Sequence, residues 1–471
     1  MIRNRTVKSI VGVTVSNAIS IVAGVIVGFI IPKILSIEDY GYHKTFTLYT
    51  SYMGLFSLGI ADGIVLKYGR YDYDELRKEQ FRAYFKWYMI VHIILCFLMV
   101  CLSFLVKGEL PFILRALAVN TIIINEVGYF QQISQITQRF KEYSARKIIQ
   151  SVGSIAVVFL CVLIWRKSGR LNYRLYVTLS IAFSFALAAW YISTYKDIIV
   201  GKSISLCNSR KDIILFSING FPLLFANLCS TLILNLDRQF VSALFSTSEY
   251  AVYAFAYNML SLVTVATSAV STVIFPALKR SSGEGLRSNY AKLIGIMLVF
   301  VYFSLIVYFP LNMLIKWYLP KYVDSLPIFR IIFPGLGISS CITVVMHNYY
   351  KVLGKNIDYF KKCIMVLCLS GFANTAAYHL FHTTASISIA SIITMMVWFV
   401  SMETMFVHEY KIKRIENIFY ITLMGISFYW STSLENIFIS GLLYIGAFCI
   451  VTIMIKRNII SEIVSIIKNG D

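Results

Sequence analysis

Fourteen apolar stretches separated by short loops fill the chain from Ser9 to Ile455. A helix needs roughly 20 apolar residues to cross the hydrocarbon core of a bilayer. The stretches cover residues 9–31, 45–66, 83–106, 111–137, 148–165, 173–194, 213–236, 250–275, 293–315, 328–350, 363–381, 385–407, 415–430 and 437–455. The thirteenth is the shortest. Hydrophobic residues make up 58% of the chain and charged residues only 14%, whereas soluble domains carry about a quarter charged residues. The pattern predicts an all-α polytopic membrane protein of about 14 transmembrane helices.

The basic residues fall in every second loop. With the N-terminus placed inside, the inner loops and tails hold 31 of the 43 Lys and Arg. Cytoplasmic loops carry the Lys/Arg excess, so both termini are expected in the cytoplasm. The net charge of +20 is therefore mostly a topology signal. A nucleic-acid partner is not expected, because no basic soluble domain exists to carry it. One outer loop departs from the rule, with Arg166, Lys167, Arg170 and Arg174 close together. It reads as a tolerated exception, with a patch for anionic head groups or sugars as the functional alternative.

No loop exceeds roughly 20 residues, which leaves no room for an extramembrane domain. There is no Walker motif, so ATP hydrolysis is not expected. No His/Cys cluster has metal-ligand spacing, and no cofactor is expected. The nine Cys are scattered, several within spans such as Cys96, Cys101, Cys161 and Cys449, and read as small apolar residues. The first apolar stretch lacks a small-residue cleavage site and reads as a true span. After Lys456, the residues Ile459, Ile460, Ile463, Val464 and Ile467 recur at helical spacing, as expected of a tail along the inner interface.

The chain contains an internal repeat. Ser36-Ile-Glu-Asp-Tyr40 follows the first span, and Ser246-Thr-Ser-Glu-Tyr250 follows the seventh. Leu110-Pro111 opens the fourth span and Leu326-Pro327 the tenth. A shift of six spans is even, so both copies share one orientation. Parallel repeats of this kind place substrate at the repeat interface in transporters. The expected organisation is one six-helix lobe over residues 1–200, a second over 201–410 around a central cavity, and an extra helix pair with its tail over 411–471.

Ionisable and polar groups inside spans are costly and need partners or water. In the fourth span Asn120, Gln131, Gln135 and Gln138 share one face. Interhelical hydrogen bonding and a wetted cavity wall both account for this stripe. Glu126 is the deepest carboxylate; it suits a coupling site for H+ or Na+, or an acid tied to a neighbouring helix. The seventh span ends Asn235-Leu-Asp237-Arg238-Gln239, and Asn227, Thr231 and Arg238 share a face. Arg115, Arg238 and Arg330 lie toward the outer ends of their spans, where long side chains snorkel. Arg115 and Arg330 also occupy equivalent places in the two repeats, and such a pair facing a cavity suits a phosphate or diphosphate. Asp62 lies near the inner end of the second span, as a helix-end polar group or part of a gate. Ser261, Thr264, Ser268, Ser271 and Thr272 form a small-residue stripe read as helix packing. Gly12, Gly24, Gly28 and Pro222 are expected to supply bends.

Several motifs together resemble the polysaccharide repeat-unit flippases, the O-antigen type of the multidrug/oligosaccharidyl-lipid/polysaccharide exporter superfamily. They are Ile31-Pro32-Lys-Ile-Leu-Ser-Ile-Glu-Asp-Tyr40-Gly41, Leu58-Gly59-Ile-Ala-Asp62-Gly63, Leu236-Asp237-Arg238, Ser248-Glu249-Tyr250-Ala251-Val-Tyr253-Ala254 and Tyr318-Leu-Pro-Lys-Tyr322. Ala251 stands where the loop pattern has a second Gly. The resemblance implies two six-helix lobes around a cationic central cavity. It implies an undecaprenyl-diphosphate-linked oligosaccharide as substrate, moved to the outer leaflet of the bacterial inner membrane under an ion gradient. Expected partners are the lipid bilayer and the polysaccharide polymerase and chain-length machinery of O-antigen and lipopolysaccharide assembly. Under this reading Arg115, Arg238, Arg330, Asn120, Gln131, Gln135 and Asn227 are candidate substrate contacts. Glu126, Asp237 and Asp62 are candidate ion-coupling groups.

Two other functions compete. A cation-coupled multidrug exporter of the same superfamily needs acidic residues in its cavity, whereas the span-end charges here lean basic. A membrane glycosyltransferase or polymerase needs a large outer loop with catalytic carboxylates, which this chain lacks, so no enzyme activity is expected.

Overall fold

The computed structural model describes residues 2–69, 71–261, 278, 283–412 and 414–461. Among these residues the chain is helical, with no strand. Nine helices are long and apolar enough to cross a membrane, or eleven if each of two bent pairs is one span. The difference from fourteen has three sources. The second stretch is broken into α2 (Ile37–Thr50), a 3-10 turn (Met53–Ser57) and α3 (Ile60–Tyr68). The eighth lies largely outside the described residues. The thirteenth forms a helix of 18 residues, Arg414–Ser431, that falls outside the nine.

The described chain divides into two compact units, Met1–Thr231 and Leu232–Asp471. The first contains α1 (Ile2–Ile34), α2, α3, α4 (Lys78–Ser103), α5 (Leu110–Ile136), α6 (Phe140–Ser168), α7 (Tyr173–Thr194) and the start of α8 (Leu206–Leu244). The second contains the end of α8, a helix over residues 247–261 (α9), and α10 (Gly283–Ser304). It continues through α11 (Tyr308–Tyr318), α12 (Ser325–Ile332), α13 (Gly335–Val352), α14 (Asn356–Phe381), α15 (Thr384–Tyr410), α16 (Arg414–Ser431) and α17 (Ile437–Ile455).

The repeated motifs have repeated local roles. Ser36 caps α2: its Oγ accepts from the Asp39 amide at 3.0 Å. Ser246 and Glu249 make the reciprocal pair at the start of α9, with the Ser246 amide donating to Glu249 Oε2 and the Glu249 amide to Ser246 Oγ. Each satisfies backbone donors that the first helical turn leaves open. Pro111 and Pro327 both sit in a first turn, where a missing N–H costs nothing.

Bends follow chemistry in part. α8 bends by 52° between Leu206–Pro222 and Asn227–Leu244, as a ring without an N–H dictates. Gly12, Gly24 and Gly28, by contrast, lie within the single helix α1. The span formed by α12 and α13 bends by 45°, at the break that holds Pro334. Of the small-residue stripe, Ser261 donates to the Asn258 carbonyl; Thr264, Ser268, Ser271 and Thr272 lie outside the described residues. In the tail, Ile459 packs against Gly295 of α10, while Ile463, Val464 and Ile467 lie outside the described residues.

The last helix pair is built into the second unit. Tyr444 donates to the Tyr302 carbonyl at 2.6 Å. Buried Lys456 donates to Glu416 Oε1 at 2.7 Å and Asn417 Oδ1 at 2.8 Å. Asn417 in turn donates to the fully buried Glu403 at 2.8 Å. Large apolar side chains such as Phe97, Leu105, Phe372 and Leu442 remain exposed, as expected of surfaces that face lipid.

Candidate functional site

The first unit encloses a cavity of about 290 Å³. Its position follows from the break in the second span. Leu58 and Gly59 both adopt the left-handed region, at φ 48° and 75°, which ends the 3-10 turn and starts α3 on a new axis. A leucine there is strained by roughly 1–2 kcal/mol.

Glycines then bring α3 against α8. A Cβ on Gly63 would lie 2.2 Å from the Phe216 carbonyl oxygen, and one on Gly220 would lie 2.0 Å from the Gly59 carbonyl oxygen. Backbone meets backbone here, which only residues without a side chain permit. The Leu58-Gly-Ile-Ala-Asp-Gly63 motif is thus a docking surface for α8. It also places Asp62 on the cavity wall.

The segment leading into α8 is held by α4. Lys78 pairs with Asp197 at 2.8 Å, and Tyr73 donates to Asp197 Oδ1 at 2.5 Å. Arg82 donates to the carbonyls of Asp197 and Lys202, and Tyr84 donates to Asp212. Burial alone pushes the Asp197 carboxyl up, but Lys78 and Tyr73 outweigh it and hold it below the ordinary carboxylate range. Arg139 lies 3.8 Å over the Tyr73 ring. The basic loops of this unit are therefore partly structural.

The cavity wall is polar and aromatic. Tyr52 and Ser57 come from the broken segment, Asp62 from α3 and Tyr88 from α4. Asn125, Tyr129 and Gln132 come from α5, and Asn227 and Thr231 from α8. Asn125 is fixed by donating to the carbonyls of Met53 and Thr121 at 3.0 and 2.9 Å. Tyr88 donates to the Asn125 carbonyl at 3.2 Å. The Tyr129 hydroxyl and Gln132 Oε1 are enclosed without a hydrogen-bond partner. Among the described residues Asp62 is the one charged side chain on the wall.

Of the residues singled out by sequence, Asp62, Asn227 and Thr231 reach this cavity and the others lie elsewhere. Asn120 is buried beside Thr50, Gln131 is half-buried and Gln135 is exposed. At roughly 100° per residue, Gln131 lies about 120° around α5 from Asn125. The cavity face is instead Asn125, Gly128, Tyr129 and Gln132, spaced three and four apart. Asn125 and Gln132 lie off the face that Gln131, Gln135 and Gln138 mark, so the stripe visible in the sequence does not include them. Glu126 is buried, is absent from the wall, and keeps Oε1 without a partner.

Arg115 is exposed; it donates to Ser103 Oγ at 3.1 Å and lies over the Phe104 ring at 5.0 Å. In the second unit, Arg238 donates to the Leu234 carbonyl and Asn235 Oδ1 and lies 4.5 Å over the Tyr257 ring. Asp237 is buried and accepts from the hydroxyls of Tyr253 and Tyr257 and from the Arg238 amide. Arg330 faces the connection between α16 and α17: it donates to the Thr432 carbonyl, Ser433 Oγ and Tyr429 Oη and lies 4.4 Å over the Tyr429 ring.

The outer basic loop is also partly paired. Arg174 grips Glu109 through both ends of its fork, Nε to Oε2 at 2.9 Å and NH2 to Oε1 at 2.8 Å. Tyr173 donates to the same carboxylate at 2.5 Å. Burial pushes the Glu109 carboxyl up, but these donors outweigh it and hold it below the ordinary range.

The sequence pattern of the polysaccharide biosynthesis protein family matches residues 6–282. The chain belongs to this family. Solved structures share the fold of this family member. A lipid II flippase in an inward closed conformation is 14% identical, with a TM-score of 0.69 over 95% of this chain and 99% of that one. A multidrug resistance MATE family transporter of the MOP superfamily, in an inward-facing conformation, is 14% identical, with a TM-score of 0.60 over 84% of this chain and 96% of that one. A MOP superfamily transporter from Pyrococcus furiosus, described as having a binding pocket of reverse polarity, is 12% identical, with a TM-score of 0.56 over 86% and 97%. No curated protein matches the chain. The family resemblance read from sequence is borne out at the level of the polysaccharide biosynthesis protein family, and the fold is one that solved flippase and transporter structures share.

Proposed function

We propose that this protein flips undecaprenyl-diphosphate-linked oligosaccharide repeat units from the inner to the outer leaflet of the bacterial inner membrane by alternating access. The observation that carries the reading is the wall of the first unit's cavity: tyrosines beside amides and hydroxyls, in a member of the polysaccharide biosynthesis protein family. Sugar hydroxyls need such donors and acceptors, because neither they nor a diphosphate crosses hydrocarbon without them. The basic loops, placed on the cytoplasmic side, attract the anionic head group. In this reading Arg115, Arg238 and Arg330 meet the diphosphate at some stage of the cycle. An H+ or Na+ gradient acts through Glu126, Asp237 or Asp62, and O-antigen polymerase and chain-length proteins take the product.

The test is reconstitution of the full chain in vesicles with a fluorescent undecaprenyl-diphosphate oligosaccharide. Protein-dependent loss of inner-leaflet label under an imposed gradient is the expected result; a rate equal to that of empty vesicles sinks the reading. A cation-coupled multidrug exporter is the second reading, favoured by the carboxylate that Asp62 places on the cavity wall. Gradient-driven efflux of ethidium from the same vesicles distinguishes it.

A further inference from the structure

Many of the hydrogens on the wall of the first unit's cavity are already spent on the backbone. Tyr88 donates to the Asn125 carbonyl at 3.2 Å, and Asn125 gives its amide hydrogens to the Met53 and Thr121 carbonyls at 3.0 and 2.9 Å. Ser51 donates to the Leu48 carbonyl at 2.6 Å, and Thr231 to the Asn227 carbonyl at 3.0 Å. All four side chains line the cavity, and none has a hydrogen left to offer a ligand. Tyr129 and Gln132, three residues apart on α5, add two oxygens that are enclosed without a hydrogen-bond partner. Gln132 Oε1 only accepts. A buried acceptor left in that state is costly, and a ligand that brings a hydrogen removes the cost.

A hydroxyl both donates and accepts, so a sugar hydroxyl can take the Tyr129 hydrogen and give its own to Gln132 Oε1. An ionised diphosphate has oxygens but no hydrogen to give. It can accept from Tyr129, but it leaves Gln132 Oε1 unsatisfied and sets one lone pair against another. The cavity volume of about 290 Å³ is at the small end of ligand sites, which run from about 300 to 1,000 Å³, and suits one sugar rather than a whole oligosaccharide. We infer that this cavity is a sugar subsite that demands hydrogen-bond donors from its ligand. Tyr129 and Gln132 read the sugar hydroxyls there, and the diphosphate is held elsewhere on the protein.

This inference rests on the saccharide reading above. The experiment uses the full chain in lipid nanodiscs, titrated by native mass spectrometry with short-chain polyprenyl-diphosphate probes. One bears glucose, one a glucose whose hydroxyls are replaced by fluorine, and one no sugar. The fluorinated probe keeps the charge and nearly the size but loses the donors, and the glucose probe is expected to bind at least about tenfold more tightly. Tyr129→Phe and Gln132→Leu should each shrink that ratio to about threefold or less, while the sugar-free probe binds both variants as it binds wild type. Equal binding of the glucose and fluorinated probes overturns the proposal and leaves the saccharide reading standing. The same holds for a ratio that neither variant moves. It holds too for an equal loss of the sugar-free and glucose probes in both variants, which puts the diphosphate in this cavity. If no probe binds, the saccharide reading falls and the subsite with it.

Discussion

Glu126 and Asp237 are both buried acids in long apolar helices, one in each compact unit, and their surroundings are opposite. Glu126 Oε1 has no hydrogen-bond partner. Asp237 accepts from two tyrosine hydroxyls and a backbone amide. An acid surrounded by donors holds its neighbours in place, and removing it strands them. A carboxyl oxygen without a donor does little for the fold, so a chain that keeps it pays a penalty that function has to justify. Burial alone therefore does not separate a structural acid from a working one; the donors around it do.

The largest expected effect breaks the comparison at its stronger side. Asp237→Ala leaves the Tyr253 and Tyr257 hydroxyls without this acceptor and should destabilise by about 2–5 kcal/mol, at about 1–3 kcal/mol for each stranded donor, read as thermal unfolding of the purified protein in detergent. If Glu126→Ala costs as much, the contrast between the two acids is wrong.

Next come the glycines that place the first unit's cavity. Gly220→Ala sets a Cβ against the Gly59 backbone and should cost about 1–3 kcal/mol or more. Gly24→Ala is the control, since a Cβ there meets nothing within 4 Å; removing a helical glycine should be neutral or stabilising by up to about 1 kcal/mol.

Glu126→Gln sharpens the comparison. Its unfolding free energy should move by less than about 1 kcal/mol, while transport measured between pH 5.5 and 8.5 (about 1.5 units either side of neutrality) should lose its pH dependence. An unaltered profile removes Glu126 as a coupling group.

The smallest effect concerns the exposed pair of Glu109 and Arg174. Because the Glu109 carboxyl is held below its ordinary range, the pair stabilises fully above the unfolded value of about 4.3. That contribution disappears as pH falls through the lowered value. Wild type should therefore lose more stability than Glu109→Gln on acidification, by no more than about 1 kcal/mol for so exposed a pair. Parallel losses in both proteins would show that the pair contributes nothing.

Much of the fold was legible because hydrophobic length is a local property. Nine of the fourteen stretches form helices of spanning length, one of them passing through a 3-10 turn between α10 and α11, and two more form bent pairs. The second stretch was misread as one span because its break depends on a strained leucine, Leu58, which no local pattern marks. The site was less legible. Asp62, Asn227 and Thr231 were singled out and do line the cavity, whereas Asn125, Tyr129 and Gln132 were passed over. Whether a face of α5 meets lipid, a neighbouring helix or open space depends on where α3, α4 and α8 stand.

The sequence by itself determined the membrane class, the family and the helix starts, since apolar length, motif spacing and capping residues act within a few residues of where they are written. Only the tertiary structure decided which polar groups are satisfied. It assigned Arg330 to the last helix pair, surrounded Asp237 with donors and left Glu126 Oε1 without one. A hydrogen bond forms between groups that packing brings within about 3 Å, and the partners of Arg330 lie up to 103 residues away in the chain.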